Sequence, residues 1–315
     1  RQPRSTLFPY TTLFRSEAIP DQFEGCVSGR TLILDGDGPA YVVAATVKKL
    51  DTAIRRFQQE MLTQLFLTRS ESVRVHLTAS TSKKAGRYNI LAEKPYQGNR
   101  ESKSKPPLLE PLRQAMRLRE NWLPEFDSVQ MHFDIEADDA MMQDAYRLKD
   151  DAVIWSDDKD LRMTPYPYFE KGTGRVMPGE ATGKLWLAYT EAGAGKLLGQ
   201  GPLFFWAQML MGDTADNIKG IKKYDGKLCG FSGAYNLLKD VTCVDDAANI
   251  VLDGYRAIDQ NPLAEGWLLW LLRWPGDNFY NYLKELALTP QNTDFIEDCV
   301  RRRWFKDESN ECESN

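Results

Sequence analysis

Eight carboxylates stand in four short groups: Asp35 in LDGD, Glu136, Asp138 and Asp139 in EADD, Asp158 and Asp160 in SDDKD, and Asp213 and Asp216 in GDTAD. Together they suit one chemistry, the holding of hard divalent cations such as Mg²⁺ or Mn²⁺ through oxygen. Other ligand types are scarce: among 315 residues there are two histidines, His76 and His132, and five scattered cysteines without a CxxC pair. Two carboxylates 4 Å apart repel by about 4 kcal/mol at an effective dielectric of 20. Eight in one cleft therefore need cations, and a pair of divalent ions is suited to phosphate transfer. Taken alone, each group reads first as a solvated turn rather than as a ligand set, SDDKD included.

The elements that must position these groups can be read from periodicity. RTLILDGDG (30–38) is a short apolar strand ending on a Gly-rich turn. Val43, Val47, Leu50, Ile54, Phe57, Met61 and Leu65 recur at helical steps and predict one long helix. SVRVHLT (72–78), SVQMHFD (128–134) and AVIWS (152–156) read as further strands, and IEADDAMMQDAYRLKDD as a helix with an acidic first turn. Strands separated by helices predict an α/β fold with a mostly parallel central sheet. In such sheets ligands gather at the carboxyl ends of the strands, where Asp35, Glu136 and Asp158 fall. After about residue 165 the pattern becomes hairpin-like, and from Gly201 mostly helical. The expected division is 17–200 for the α/β domain and 201–306 for the helical region, with 307–315 a disordered acidic tail. TLFPYTTLFRS (6–16) resembles a translated sequencing adapter, so 1–16 is expected to be an artefactual or disordered leader.

Net charge is −5, yet residues 83–119 carry ten Lys or Arg against three Glu. That basic stretch, broken by Pro95, Pro106, Pro107 and Pro111, suits a mobile segment that meets an anion, or a solvated loop. The free, scattered cysteines fit a reducing compartment. No run of about 18 apolar residues occurs, so no membrane partner is expected. GAGK (193–196) lacks the rest of a phosphate-binding loop, because Thr190 and Leu197 stand where Gly and Ser or Thr are needed. LDGDG also suits a haloacid-dehalogenase-type phosphatase, but Pro39 fits that pattern poorly and EADD has no place in it.

LDGD, EADD, SDDKDL and GDTADNIKGI, in this order and spacing, resemble the flap endonuclease and 5′→3′ exonuclease superfamily over roughly residues 28–260, its phage members most. The resemblance implies a PIN-like 5′-nuclease domain with a helix–hairpin–helix region. It also implies two Mg²⁺ or Mn²⁺ ions on Asp35, Glu136, Asp138, Asp139, Asp158, Asp160, Asp213 and Asp216. Asp37 is either an extra ligand or a turn residue, and Asp157 a solvated spare. PYQGNR (95–100) resembles the family's Tyr-Lys-x-x-Arg stretch, in an arch at about 80–120 that passes a single strand. Arg100 would clamp the scissile phosphate, with Asp35 and Asp158 at the reacting centre. Gln97 replaces the family's lysine, so Lys94 or the Lys103/Lys105 pair would supply that charge. Lys83, Lys84, Arg87, Tyr96, Lys103, Lys105, Lys219 and Gly220 would contact DNA, Tyr96 by stacking a base or by packing under the arch. The hairpin within 216–238 would aim N–H groups at phosphates and hold K⁺. Ala79 stands where many relatives carry aspartate, so one ligand is missing or the alignment shifts. The implied substrate is DNA with a 5′ end, flap or nick, or an RNA–DNA hybrid. The implied setting is a monomer in phage DNA replication in a bacterial cytoplasm. The alternatives are a metal-dependent phosphomonoesterase and a DNA-binding protein with a decayed site.

Overall fold

The computed structural model describes residues 25–99, 104–190 and 193–306. The leader and tail expectations, and the roles given to Arg100 and Lys103, lie outside the described residues.

The first strand, β1 (Thr31–Asp35), is followed by helices α1 (Asp37–Thr46) and α2 (Leu50–Thr68), then β2 (Ser72–Thr78). After α3 (Leu109–Arg117) come β3 (Phe126–His132), α4 (Ala137–Leu148) and β4 (Ala152–Trp155). Short strands β5 (Tyr168–Glu170) and β6 (Arg175–Met177) complete a six-stranded sheet in the order β3-β2-β1-β4-β5-β6. All its pairings are parallel except β5 with β6. Side chains alternate across it as a strand period of two demands. Leu32, Leu34, Val73, Val75 and Trp155 pack with the α1–α3 layer, while Ile33, Ala152 and Ile154 pack with α4. Both faces are covered, as a parallel sheet requires.

A second body begins with the antiparallel hairpin β7 (Lys184–Tyr189) and β8 (Gly195–Gln200). It continues through α5 (Pro202–Met211), α6 (Phe231–Leu238), α7 (Val244–Ala257), α8 (Pro262–Leu269), α9 (Phe279–Leu283) and α10 (Pro290–Arg301). Helix α5 is apolar nearly all round and buried from Leu203 to Leu210, so it forms the centre of this core. Leu185, Leu187 and Leu197 pack into the same core. The division expected at residue 200 therefore cuts through one hydrophobic unit, and the hairpin belongs with the helices. Among the described residues no helix is long and apolar enough to cross a membrane.

Two expected boundaries move. The single helix over 43–65 is two helices with extended backbone at Val47 and Lys49. The Thr46 hydroxyl donates to the Val42 and Val43 carbonyls at the end of α1, competing with the helix ladder. Strand β3 lies two residues earlier than expected. Pairing with β2 stops at His132, and the next carbonyls, of Phe133 and Asp134, accept from Lys83 and Ala85 instead.

Candidate metal centre

The chain runs outward from β1 to β2 and β3, then returns to place β4 on the other side of β1. Strand order reverses there, and a crevice opens at the carboxyl ends of β1 and β4. Asp35 ends β1 and Asp158 follows β4, so the two flank this crevice. Helix α4 points its N-terminus at it, bringing Glu136 and Asp138. Thr78, at the end of β2, fixes that terminus by accepting the Ala137 N–H at 2.9 Å.

Ser156 ties the crevice together. Its hydroxyl donates to Asp35 at 2.8 Å and accepts the Asp158 N–H at 2.9 Å. Burial and the charge of Asp37 push the Asp35 carboxyl up to about 6. Burial and then Asp160 push Asp158 up to about 8. Asp138 lies well above the ordinary aspartate range through burial and the charges of Asp158, Asp35 and Glu136. These groups share one field that disfavours their ionisation.

A second acidic group adjoins the first. Single oxygens of Asp160, Asp213 and Asp216 all lie within 4.8 Å of one another. Gly212 and Gly220, at φ 72° and 68°, pass so closely that a Cβ on Gly212 would lie 2.4 Å from the Ile218 and Lys219 carbonyls. That approach, with the reciprocal Asp213–Ile218 backbone pair, fixes Asp213 at the tip of its turn. Lys159 lies within this group, its ammonium 2.7 Å from Asp160 and 2.9 Å from Asp213. Burial alone would raise Asp213, but Lys159 outweighs it and holds that carboxyl below the ordinary range. For Asp160 burial prevails and the shift is upward. Gln208, the polar residue in the apolar run of α5, donates to Asp160 at 2.6 Å. Ser156, Lys159 and Gln208 were not singled out from sequence, although a lone glutamine in LFFWAQMLM is a signal of such a role.

Asp139 is a correction to the expected ligand set. It is fully buried and accepts both guanidinium nitrogens of Arg87 at 2.7 Å, together with the Leu272 N–H. It also closes a capping box with Glu136 at the start of α4. Its charge is spent inside the protein. Arg87, expected on DNA, is 2 % exposed and is Asp139's partner.

Tyr96 is buried rather than offered for stacking, and its hydroxyl donates to Glu136 at 2.7 Å. Glu136 also receives Arg87 at 3.1 Å and Lys84 at 3.0 Å. Gln97 donates to Asp216 at 3.0 Å and accepts from Lys84 at 2.6 Å, so the ammonium beside position 97 is that of Lys84, while Lys94 is exposed. Asp37 accepts the Thr78 N–H at 3.0 Å and Arg113 at 2.7 Å, both from residues distant in sequence. Asp157 is exposed beside Lys171. Ala79 is buried, its N–H bound to the His132 carbonyl.

Lys83 and Lys105 are exposed and Lys219 half-buried, with Lys83 beside Asp134. The Gly220 N–H points inward to buried Glu265 at 3.0 Å, and its carbonyl accepts from Gln260 at 3.0 Å. Gly220 therefore does not offer the outward N–H donor expected of it.

The oxygen-only donors, their convergence and the raised carboxyls fit a hard divalent ion. No family model matches the chain, and no curated protein does. Among solved structures, it is similar to a bacteriophage T5 flap endonuclease variant in a pseudo-enzyme–product complex with DNA and metal ions, at 16 % identity and TM-score 0.51. It is also similar to the T5 D15 protein co-crystallised with metal ions (15 %, TM-score 0.47) and to T5 5′-exonuclease with zinc (15 %, TM-score 0.44). Each comparison covers 86 % of this chain and 98 % of the other. The mostly parallel six-stranded sheet flanked by helices is thus the fold of the T5 flap endonuclease.

Proposed function

We propose that the chain is a metal-dependent nuclease, a 5′→3′ exonuclease and flap endonuclease. The observation that carries this reading is the gathering of seven carboxylates, from four distant segments, at the strand-order reversal of this fold. Asp35, Glu136, Asp138 and Asp158 would hold one Mg²⁺ or Mn²⁺, and Asp160, Asp213 and Asp216 a second. Bound there, such ions lower the pKa of a water and offset charge on the phosphate and the departing oxygen. The chain's own groups orient the ligands. Ser156 holds Asp35 and Asp158 in register, Gln208 holds Asp160, and the Ala215 N–H holds Asp213 at 2.8 Å.

Lys83, Lys105 and Lys219 would take backbone phosphates, and the long connection between α5 and α6 would act as the hairpin that grips duplex. The T5 neighbour's complex with DNA and metal ions supports this choice of partner. In this reading the substrates are DNA with a 5′ end, flap or nick and primer-type RNA–DNA hybrids. The chain works as a monomer in phage DNA replication within a bacterial cytoplasm.

The test is incubation with 5′-labelled flap and nicked duplex, in Mg²⁺ or in EDTA. Short labelled products in Mg²⁺ alone are expected. Their absence overturns the nuclease reading, and release of inorganic phosphate without nucleotides replaces it with a phosphomonoesterase.

A further inference from the structure

We infer that Lys84 is the ammonium group that faces the scissile phosphate, and so a catalytic residue. The inference rests on the nuclease reading and adds to it a residue and a chemical role. Its basis is an unusual piece of backbone. Lys84, Ala85 and Gly86 all have positive φ, at 49°, 53° and 73°. A left-handed conformation costs a non-glycine residue roughly 1–2 kcal/mol, and here two such residues are adjacent. Strain of this kind persists only where surrounding bonds over-determine it, and it concentrates at working sites. The bonds are present. Lys83 and Ala85 donate to the Phe133 and Asp134 carbonyls at 2.8 and 2.7 Å. Ser82 accepts the Lys84 N–H at 3.2 Å and donates to the Ile135 carbonyl at 2.8 Å.

The turn delivers the Lys84 ammonium between the two acidic groups. It lies 3.0 Å from Glu136, which adjoins Asp138, and 2.6 Å from the Gln97 carbonyl oxygen. Gln97, itself at φ 53°, donates its amide to Asp216. The Lys84–Gln97 unit therefore spans from Glu136 in one group to Asp216 in the other, across the seam where a phosphate would bridge them.

A purely structural ion pair is a poor account of this lysine. Glu136 already accepts Arg87 and the Tyr96 hydroxyl. An ammonium has three protons to give, and Glu136 and Gln97 take two of them. The Tyr88 and Tyr96 rings, 5.7 and 5.9 Å from the nitrogen, confine it while the side chain keeps 17 % exposure. A phosphate oxygen is the acceptor that suits the third proton, and a fixed ammonium there stabilises charge that develops during in-line displacement.

Because Gln97 touches the Lys84 ammonium, a lysine at 97 could place its charge at nearly the same point. The test is single-turnover cleavage of a 5′-labelled flap in Mg²⁺ by the full chain and by K84M, K84Q and K84Q/Q97K. Melting temperature and DNA affinity in Ca²⁺ are measured alongside. K84M and K84Q should lose on the order of 10²-fold in rate, as expected for one lost charge-stabilising donor. Ca²⁺-supported affinity should change by less than about fivefold, since one phosphate contact is a small part of backbone binding. K84Q/Q97K should recover at least about tenfold over K84Q, because relocating the charge restores transition-state stabilisation. A K84M rate within about threefold of wild type overturns the inference. So does a rate loss matched by an equal loss of affinity, or a swap no faster than K84Q. A wild-type chain that does not cleave overturns the nuclease reading and this inference together; a cleaving wild type beside an undiminished K84M overturns the inference alone.

Discussion

Around Asp160, Asp213 and Asp216 the chain supplies its own cation, with the Lys159 ammonium bonded to two of the three carboxylates. Around Asp35, Asp138 and Asp158, although Asp158 directly precedes that lysine in sequence, the bonds to Asp35 and Asp158 come from neutral donors, Ser156 and backbone N–H groups. The consequences differ in sign at Asp213, although burial still raises Asp160 in the same group. Asp213 is held below the ordinary aspartate range, whereas Asp35 and Asp158 are pushed up to about 6 and about 8. Neighbouring acidic groups on one cleft are thus left with different debts of charge. The first needs an external ion to be fully ionised, and the second is partly balanced by the chain.

The largest expected effect is at Asp158. Asp158→Asn should lower cleavage by on the order of 10³-fold, a loss of about 4 kcal/mol in barrier stabilisation. In EDTA at pH 8 the same variant should melt above wild type, by roughly 2 °C, because one repelling charge is gone. Cleavage and melting measured together separate a ligand from a structural residue: a variant that melts lower in EDTA breaks the comparison between the two groups.

The pH dependence should follow. A carboxyl whose pKa is raised on folding binds more protons in the native state than in the unfolded one between the two values. Its contribution to stability is present below the unfolded value and is lost as pH rises through the folded value. With Asp158 moving from 3.8 to about 8, and Asp35 from 3.8 to about 6, the EDTA form should lose stability steadily from pH 4 to pH 8. Divalent ion should flatten that decline. Melting curves across this range in EDTA and in Ca²⁺ measure both slopes, and equal slopes would remove the first group's need for an ion.

Lys159→Met should do the opposite of Asp158→Asn. It removes the built-in cation, so the EDTA form should be destabilised by roughly 1–2 kcal/mol, a figure held down by the lysine's partial exposure. Divalent ion should restore most of the loss. A variant as stable as wild type in EDTA would show that Lys159 adds no balance.

Much of this was legible in the chain. Strand β2 falls on the expected residues, β4 ends one residue early and β1 lies within the expected stretch 30–38, because short apolar runs ending on turn residues have few other solutions. The four acidic groups were found because each sits at a turn after, or at, an element end. What escaped depends on direction and distance. Asp138 and Asp139 are adjacent in sequence but about 100° apart on a helix, so one faces the cleft and the other the interior. The capping pattern Glu136-x-x-Asp139 was the local hint. The partner that consumes Asp139, Arg87, lies 52 residues away, and the Glu265 that turns Gly220 inward lies 45 residues away. No period of 2 or 3.6 encodes either pairing. Lys159 escaped because side-chain direction within a charged turn is set by the tertiary fold.

The smallest effect sharpens the comparison at its edge. Asp37 borders the first acidic group and, unlike Asp35 and Asp158, has a cation of its own, Arg113 at 2.7 Å. Asp37 also accepts the Thr78 N–H, so it holds the end of β2 against the start of α1. Arg113→Met should leave that anchor in place but free one more negative charge beside Asp35, whose upward shift is owed in part to Asp37. The pair is partly exposed, so stability should fall by about 0.5–1 kcal/mol. The decline of the EDTA form between pH 4 and 8 should steepen, since Asp35 would face a less compensated neighbour. Equal steepening in Lys159→Met and Arg113→Met would mean that the two acidic groups titrate as one. Steepening confined to Arg113→Met would mean that the seam between them is an electrostatic boundary.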